Sequence, residues 1–117
     1  ANKGTLFLDE IAELKPDTQA KLLRVLQERK FIPVGSHREV TTNARIIAST
    51  HRNLEKMIED GEFREDLFYR LNIMPIFLPS LADRRDDIED LANHFIAKFN
   101  RELNRTIAGV SPAVLKA

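Results

Sequence analysis

The sequence predicts an α/β fold, and three observations carry that prediction. Two short apolar runs, Gly4-Thr5-Leu6-Phe7-Leu8 and Arg45-Ile46-Ile47-Ala48-Ser49, show no polar alternation. They read as strands covered on both faces, the type found in parallel sheets. Helix-start features follow each run, and from about Leu81 only helical patterning remains. That order adds an all-helical segment to an α/β layer.

The first run ends in Asp9-Glu10. The next helix opens at Pro16, whose missing N–H suits a first turn, and Asp17 suits the positive end of the dipole. Lys15 stands where a Ser or Asp cap is expected. Leu22, Leu23, Val25 and Leu26 form the apolar side. Phe31-Ile32-Pro33-Val34-Gly35-Ser36 reads as a short edge strand and turn, because Pro33 cannot donate to a central ladder. After the second run, Asn53 caps a helix through about Asp60, and Gly61 stops it. A short helix is expected from about Arg64 to Leu71. Ile73–Leu78, interrupted by Pro75, reads as a third strand bounded by Pro79.

The clearest element comes next. Ile88, Leu91, Ala92, Phe95, Ile96 and Phe99 recur with the spacing of one helical face. Asp86, Asp87, Glu89 and Asp90 crowd its first turns, as the dipole favours. The Phe95/Phe99 stripe reads as core packing. Ser111-Pro112 reads as a cap and first-turn proline, and the sequence ends barely one turn later, so that helix is expected to be truncated.

With 117 residues, the chain suffices for one small domain. It is 43% hydrophobic and 31% charged, which excludes a disordered tail or a fibrous repeat. No apolar run reaches the roughly 18 residues of a membrane span. No basic-then-apolar leader is present, so no signal peptide is expected. There is no cysteine, which excludes disulfides and thiolate metal sites and fits a cytoplasmic location. Lys plus Arg equals Asp plus Glu, at 18 each. Autonomous nucleic-acid binders usually carry a basic excess, so DNA contact is expected only through another domain. His37, His51 and His94 have no metal-ligand spacing.

Open α/β sheets place their ligands at the C-terminal ends of buried strands, and Asp9 and Glu10 stand there. ATP hydrolysis has a use for two such carboxylates. One holds Mg²⁺ on the phosphates, often through water; the other polarises the attacking water. Adjacent residues of an extended strand point to opposite faces, which suits two tasks. Taken alone, the pair reads equally as a solvated strand end.

Five segments in order change that balance. Gly4–Leu14 resembles the Walker B segment of AAA+ ATPases, specifically of the sigma-54-dependent transcription activators, the NtrC-type enhancer-binding proteins. Gln19–Glu28 is similar to that family's next helix, and Asn43–Thr50 to its sensor I strand. Phe63–Asn72 resembles its arginine-finger segment. Leu78-Pro79-Ser80-Leu81, followed by Arg84-Arg85-Asp86-Asp87-Ile88, resembles its junction to the helical lid. The resemblance implies the C-terminal part of a P-loop AAA+ domain over residues 1–79, then the start of a helical lid over residues 80–117.

It further implies a role for each matched residue. Asp9 is the Mg²⁺-associated carboxylate and Glu10 the catalytic one. Thr50 and His51 occupy the sensor I tip, where the family often has Thr-Asn; His51 reads either as a γ-phosphate sensor or as a strand-end His bonded to a neighbouring loop. Arg64 and Arg70 match the two finger arginines, which reach the ATP site of the neighbouring subunit. Six residues place them about 120° apart on a regular helix. One is therefore expected to touch phosphate while the other shapes the interface. The local alternative is a surface pair between Asp66 and Arg70, four apart. Arg84 and Arg85 read as solvated or interdomain residues; where the family usually has Leu-Arg-Glu-Arg, the run is Leu81-Ala82-Asp83-Arg84.

No Gly-x-x-x-x-Gly-Lys-[Ser/Thr] occurs in these residues, so the phosphate cradle is missing and activity of this segment alone is not expected. The family's Gly-Ala-Phe-Thr-Gly-Ala loop, which touches sigma-54, is absent too. The expected whole is a Mg²⁺-dependent ATPase that remodels sigma-54 RNA polymerase. Its subunits would form a hexameric or heptameric ring, with no membrane contact. Two alternatives remain: a non-catalytic ATP-binding or assembly module of a degenerate family member, or another AAA+ clade. The resemblance also places the P-loop strand beside Ile73–Leu78. Without that neighbour the segment's edges are unprotected, and marginal stability is expected.

Overall fold

The structure, a computed structural model, describes residues 2–117. Two compact units divide it near Pro75–Ile76. In the first unit, β1 (Thr5–Leu8) pairs in parallel with β4 (Arg45–Ala48), Thr5 opposite Arg45 and Leu8 opposite Ala48. Helix α1 (Pro16–Glu28) follows β1 after a 3₁₀ turn at Ile11–Glu13. Pro16 is the first helical residue, and Lys15 makes no side-chain cap, as the sequence predicts. A short antiparallel pair, β2 (Lys30–Phe31) and β3 (Val40–Thr41), bridges to β4. Helix α2 (Leu54–Glu59) starts where the Asn53 side chain accepts the Lys56 N–H at 3.1 Å. It ends before Gly61, whose φ of +73° suits a residue without a Cβ. Helix α3 spans Glu65–Leu71.

The core lies where the 3₁₀ turn, α1, α2 and α3 meet. Ile11, Ala12, Leu23, Leu26, Met57, Phe63 and Leu67 form it, and Leu67 is fully buried. The buried positions 19, 23 and 26 of α1 follow the spacing of one helical face. One of them is polar: Gln19, 0% exposed.

Several expectations fail for identifiable reasons. Strand β1 is not covered on both faces; Leu6 and Phe7 are exposed and only Leu8 is half-buried. Among the described residues its only ladder neighbour is β4, so helices pack over a sheet too narrow to bury. Residues 73–78 form no strand and are exposed throughout. An apolar run becomes a strand only through ladder bonds to a partner, and Pro75 cannot donate one. The Ile73 N–H instead turns back to the Leu71 carbonyl at 2.9 Å.

In the second unit, α4 (Asp86–Leu103) spans more than its apolar stripe, with Asp86, Asp87 and Glu89 in its first turn. Asn104 ends it in the left-handed region, and the Asn100 amide both donates to and accepts from the Ile107 backbone. Phe95 and Phe99 stack at 6.2 Å but stay half-exposed, so they are not core as predicted. The rest of the stripe, Ile88, Leu91, Ala92 and Ile96, is half-buried. Arg84 and Arg85 are exposed, Arg84 pairing loosely with Asp87 at 3.7 Å. The helix expected at Ser111-Pro112 is α5 (Pro112–Leu115).

Candidate nucleotide-hydrolysis site

The ends of β1 and β4 are tied together just beyond the ladder. The Ser49 N–H donates to the Leu8 carbonyl and the Ile11 N–H to the Ser49 carbonyl, both at 2.9 Å. These bonds carry Asp9, Glu10, Ser49, Thr50 and His51 to one edge of the sheet. Asp9 Oδ1 accepts the Ser49 hydroxyl at 2.5 Å and the Glu10 N–H at 3.0 Å. Both bonds use Oδ1 and leave Oδ2 to solvent.

Glu10 is not in extended strand, as the sequence reading assumed. Its φ of 54° and ψ of 52° are left-handed, a conformation costing roughly 1–2 kcal/mol for a residue with a Cβ. The flanking bonds of Asp9 and Ile11 hold it there. The separation of the two carboxylates therefore comes from a turn and not from strand alternation. The Glu10 carboxylate meets His51 at 2.7 Å, Nδ1 to Oε2. A carboxylate accepts only, so Nδ1 donates. Thr50 Oγ1 accepts the Arg52 N–H at 3.0 Å, leaving its own hydroxyl proton free to donate. Of the two readings of His51, the strand-end contact is present, and its partner is the proposed base itself.

Arg64 and Arg70 are not brought to this carboxylate pair. Arg64 is the N-cap residue of α3, outside the helix, so the 120° estimate does not apply. Its guanidinium grips Asp66 in a fork, Nε to Oδ1 at 2.9 Å and Nη2 to Oδ2 at 2.7 Å. Asp66 Oδ1 also takes the Leu67 N–H at 2.8 Å. The fork hydrogen bond holds the Asp66 carboxyl below its ordinary range and raises the Arg64 guanidinium above its own. Asp66 thus pairs with Arg64, not with Arg70 as the local alternative had it. Arg70 Nη2 donates to the Leu26 carbonyl at 3.2 Å. That carbonyl lies in the last turn of α1, where helix oxygens lack internal partners. Arg70 therefore caps one helix from another.

Sequence reasoning missed Gln19. Its Nε2 donates to the Leu14 carbonyl at 2.9 Å and the Glu62 carbonyl at 3.0 Å. Its Oε1 accepts the Arg64 N–H at 2.9 Å. The Glu62 carboxylate in turn pairs with Arg52 Nη2 at 3.1 Å, next to His51. The signal was available: Gln19 shares the i, i+4, i+7 spacing with Leu23 and Leu26, a buried face.

The donor set at Asp9 fits Mg²⁺, which takes one or two carboxylates and keeps its other positions for water and phosphate. No group of three or more His, Cys, Asp or Glu side chains that could by itself hold a metal ion lies among the described residues. No helix of the described residues is long and apolar enough to cross a membrane.

Comparison with known proteins accounts for nearly the whole chain. Residues 1–77 match the family of the sigma-54 interaction domain, and residues 82–117 match the AAA+ ATPase lid domain. The chain is 53% identical over 115 residues to Regulatory protein AtoC of Escherichia coli K12, covering 98% of this chain and 25% of AtoC. It is 51% identical over 116 residues to a Nif-specific regulatory protein of Herbaspirillum seropedicae, covering 99% of this chain and 21% of that protein. The crystal structure of NtrX from Brucella abortus in complex with ATP superposes with a TM-score of 0.94 at 41% identity, covering 99% of this chain and 27% of NtrX. The chain therefore spans about a quarter of the length of these relatives. It belongs to the sigma-54 interaction domain family of AAA+ ATPases, in the part of that domain that runs into the lid.

Proposed function

We propose that these residues form the acidic half of an ATP-hydrolysing site in a sigma-54-dependent activator. The carrying observation is the edge formed by β1 and β4, where Asp9 and Glu10 occupy different positions in one bonded turn. The NtrX relative was solved with ATP, which supports nucleotide as the ligand. Bound Mg²⁺–ATP supplies the γ-phosphoryl electrophile and neutralises charge on its oxygens. Asp9 would hold the cation, and Ser49 orients Asp9. Glu10 polarises the attacking water and accepts its proton. Thr50 and His51 donate hydrogen bonds toward the γ-phosphate, and movement of His51 releases Glu10. Arg64 acts on the site of a neighbouring subunit in a ring, where its guanidinium stabilises charge on the transferred group, and Arg70, bonded to the Leu26 carbonyl, shapes that interface. The partner of the assembled ring is the sigma-54 form of RNA polymerase.

The test uses the full-length protein that carries this sequence. Glu10→Gln should retain nucleotide binding and lose phosphate release. Unchanged turnover would remove Glu10 from the chemistry. A wild-type protein that binds nucleotide without turnover, or binds none, would favour the degenerate, non-catalytic module instead.

A further inference from the structure

Gln19 is the one fully buried polar side chain in the described core, and its three bonds fix its orientation. Two carbonyls facing one end of the amide demand the NH₂, and an N–H facing the other demands the oxygen. The three partners are peptide groups of Leu14, Glu62 and Arg64. Leu14 leads into α1; Glu62 and Arg64 flank Phe63, which is itself buried. One amide therefore clamps the backbone on both sides of Phe63 and sets where the Arg64 Cα emerges. The Arg64 side chain then leaves the clamp half-exposed and is gripped by Asp66. None of these three bonds goes to the Asp9-Glu10 turn.

We infer that Gln19 is the positioning residue for Arg64, setting the arginine that one subunit presents to its neighbour. This rests on the reading of Arg64 as a trans-acting group. Gln19 touches no nucleotide; it acts through the backbone of the Glu62–Arg64 segment. The chemistry explains the residue type. An ionised glutamate cannot donate, methionine has no donor and only a weak acceptor, and asparagine is one methylene short.

The experiment compares three variants of the full-length protein: Arg64→Ala, Gln19→Met and Glu10→Gln. Displacing a positioned group by about 1 Å costs on the order of 100-fold in rate, so Gln19→Met alone should lose about 10- to 100-fold in kcat. Its nucleotide affinity should be unchanged. Each of the first two variants is then mixed with Glu10→Gln, which has a dead site but an intact Arg64. In a head-to-tail ring with random mixing, about a quarter of the sites join an intact Glu10 to a well-placed arginine. Turnover well above that of either parent is expected for both mixtures. Rescue of Arg64→Ala without rescue of Gln19→Met would overturn the role of Gln19 and leave the finger standing. No rescue of Arg64→Ala would overturn the finger reading, and the inference with it. A defect confined to folding would not be rescued in trans.

The wild-type protein supplies a second check should Gln19→Met fail to fold. The Arg64 amide, held by a buried acceptor, should exchange its hydrogen as slowly as the α1 core. Exchange at the rate of an open loop would overturn the clamp.

Discussion

His51 Nδ1 lies 2.7 Å from Glu10 Oε2, so the imidazole at the end of β4 holds the carboxylate that the turn after β1 presents. Both side chains are substantially exposed, 71% and 45%. A polar pair in that setting is worth little by itself. The roles should therefore separate by size. Glu10→Gln is expected to lower kcat by roughly 10²–10⁴-fold, the contribution of a general base. His51→Ala removes the contact to Glu10 and one donor toward the γ-phosphate and should cost about tenfold, since a hydrogen bond to a charged group is worth roughly 1.5 kcal/mol. Steady-state phosphate release with both variants checks this. A His51→Ala loss equal to that of Glu10→Gln would mean that the imidazole carries the chemistry.

Arg64 and Arg70 differ in what they hold. Arg70 satisfies the Leu26 carbonyl at the end of α1, and a hydrogen bond of that kind contributes about 1 kcal/mol. The Arg64–Asp66 fork lies in solvent and adds little to folding. Thermal melts should show Arg70→Ala clearly less stable than wild type and Arg64→Ala nearly unchanged. Both should slow turnover. A destabilised Arg64→Ala beside an unaffected Arg70→Ala would contradict this division.

The fork also gives a pH dependence with a definite sign. Its hydrogen bond holds the Asp66 carboxyl below its ordinary value. The contribution to stability is then present above the unfolded pKa, about 3.9. It is lost as pH falls through the lower folded value. The stability difference between wild type and Asp66→Asn should be constant from neutral pH down to about 4 and shrink below it. Exposure makes the difference small. A difference that grew on acidification would show that another group dominates.

Much of this was legible because local chemistry decides it. Pro16, Asn53 and Gly61 mark helix ends through φ, a side-chain acceptor and a missing Cβ, and each does so here. What escaped depends on partners distant in sequence. Val40–Thr41 is a two-residue strand defined only by Phe31 and Lys30 opposite it. Ile73–Leu78 carries strand composition without ladder bonds. The left-handed turn at Glu10 follows from Ser49 and Ile11 bonding around it, which no pattern of apolar residues announces. Gln19 is polar and so falls outside an apolar pattern, although its spacing with Leu23 and Leu26 places it on the buried face.

Leu67 tests whether the core is the one described. It is fully buried and packs with Leu23, Leu26 and Phe63. Leu67→Ala should cost about 2–5 kcal/mol, the lost transfer energy plus the cavity left behind. Chemical denaturation of the full-length protein measures it. A loss below about 1 kcal/mol would mean that the site collapses or is open to water.

The exposed run at residues 73–78 predicts how the 117-residue polypeptide behaves by itself. Ile73, Met74, Ile76, Phe77 and Leu78 are each 78% or more exposed. Contiguous apolar surface of that kind attracts ligands or other chains. The parallel sheet has two strands, fewer than independent stability usually needs. The isolated polypeptide should bind a hydrophobic dye strongly and melt over a broad range. Ile76→Ser with Phe77→Ser should reduce the dye signal without lowering helix content, because neither side chain is buried. A sharp cooperative melt with weak dye binding in the unmodified polypeptide would show that the run is covered in solution. Unchanged dye binding in the double variant would place the accessible apolar surface elsewhere, with the half-exposed Phe95 and Phe99 the next residues to substitute.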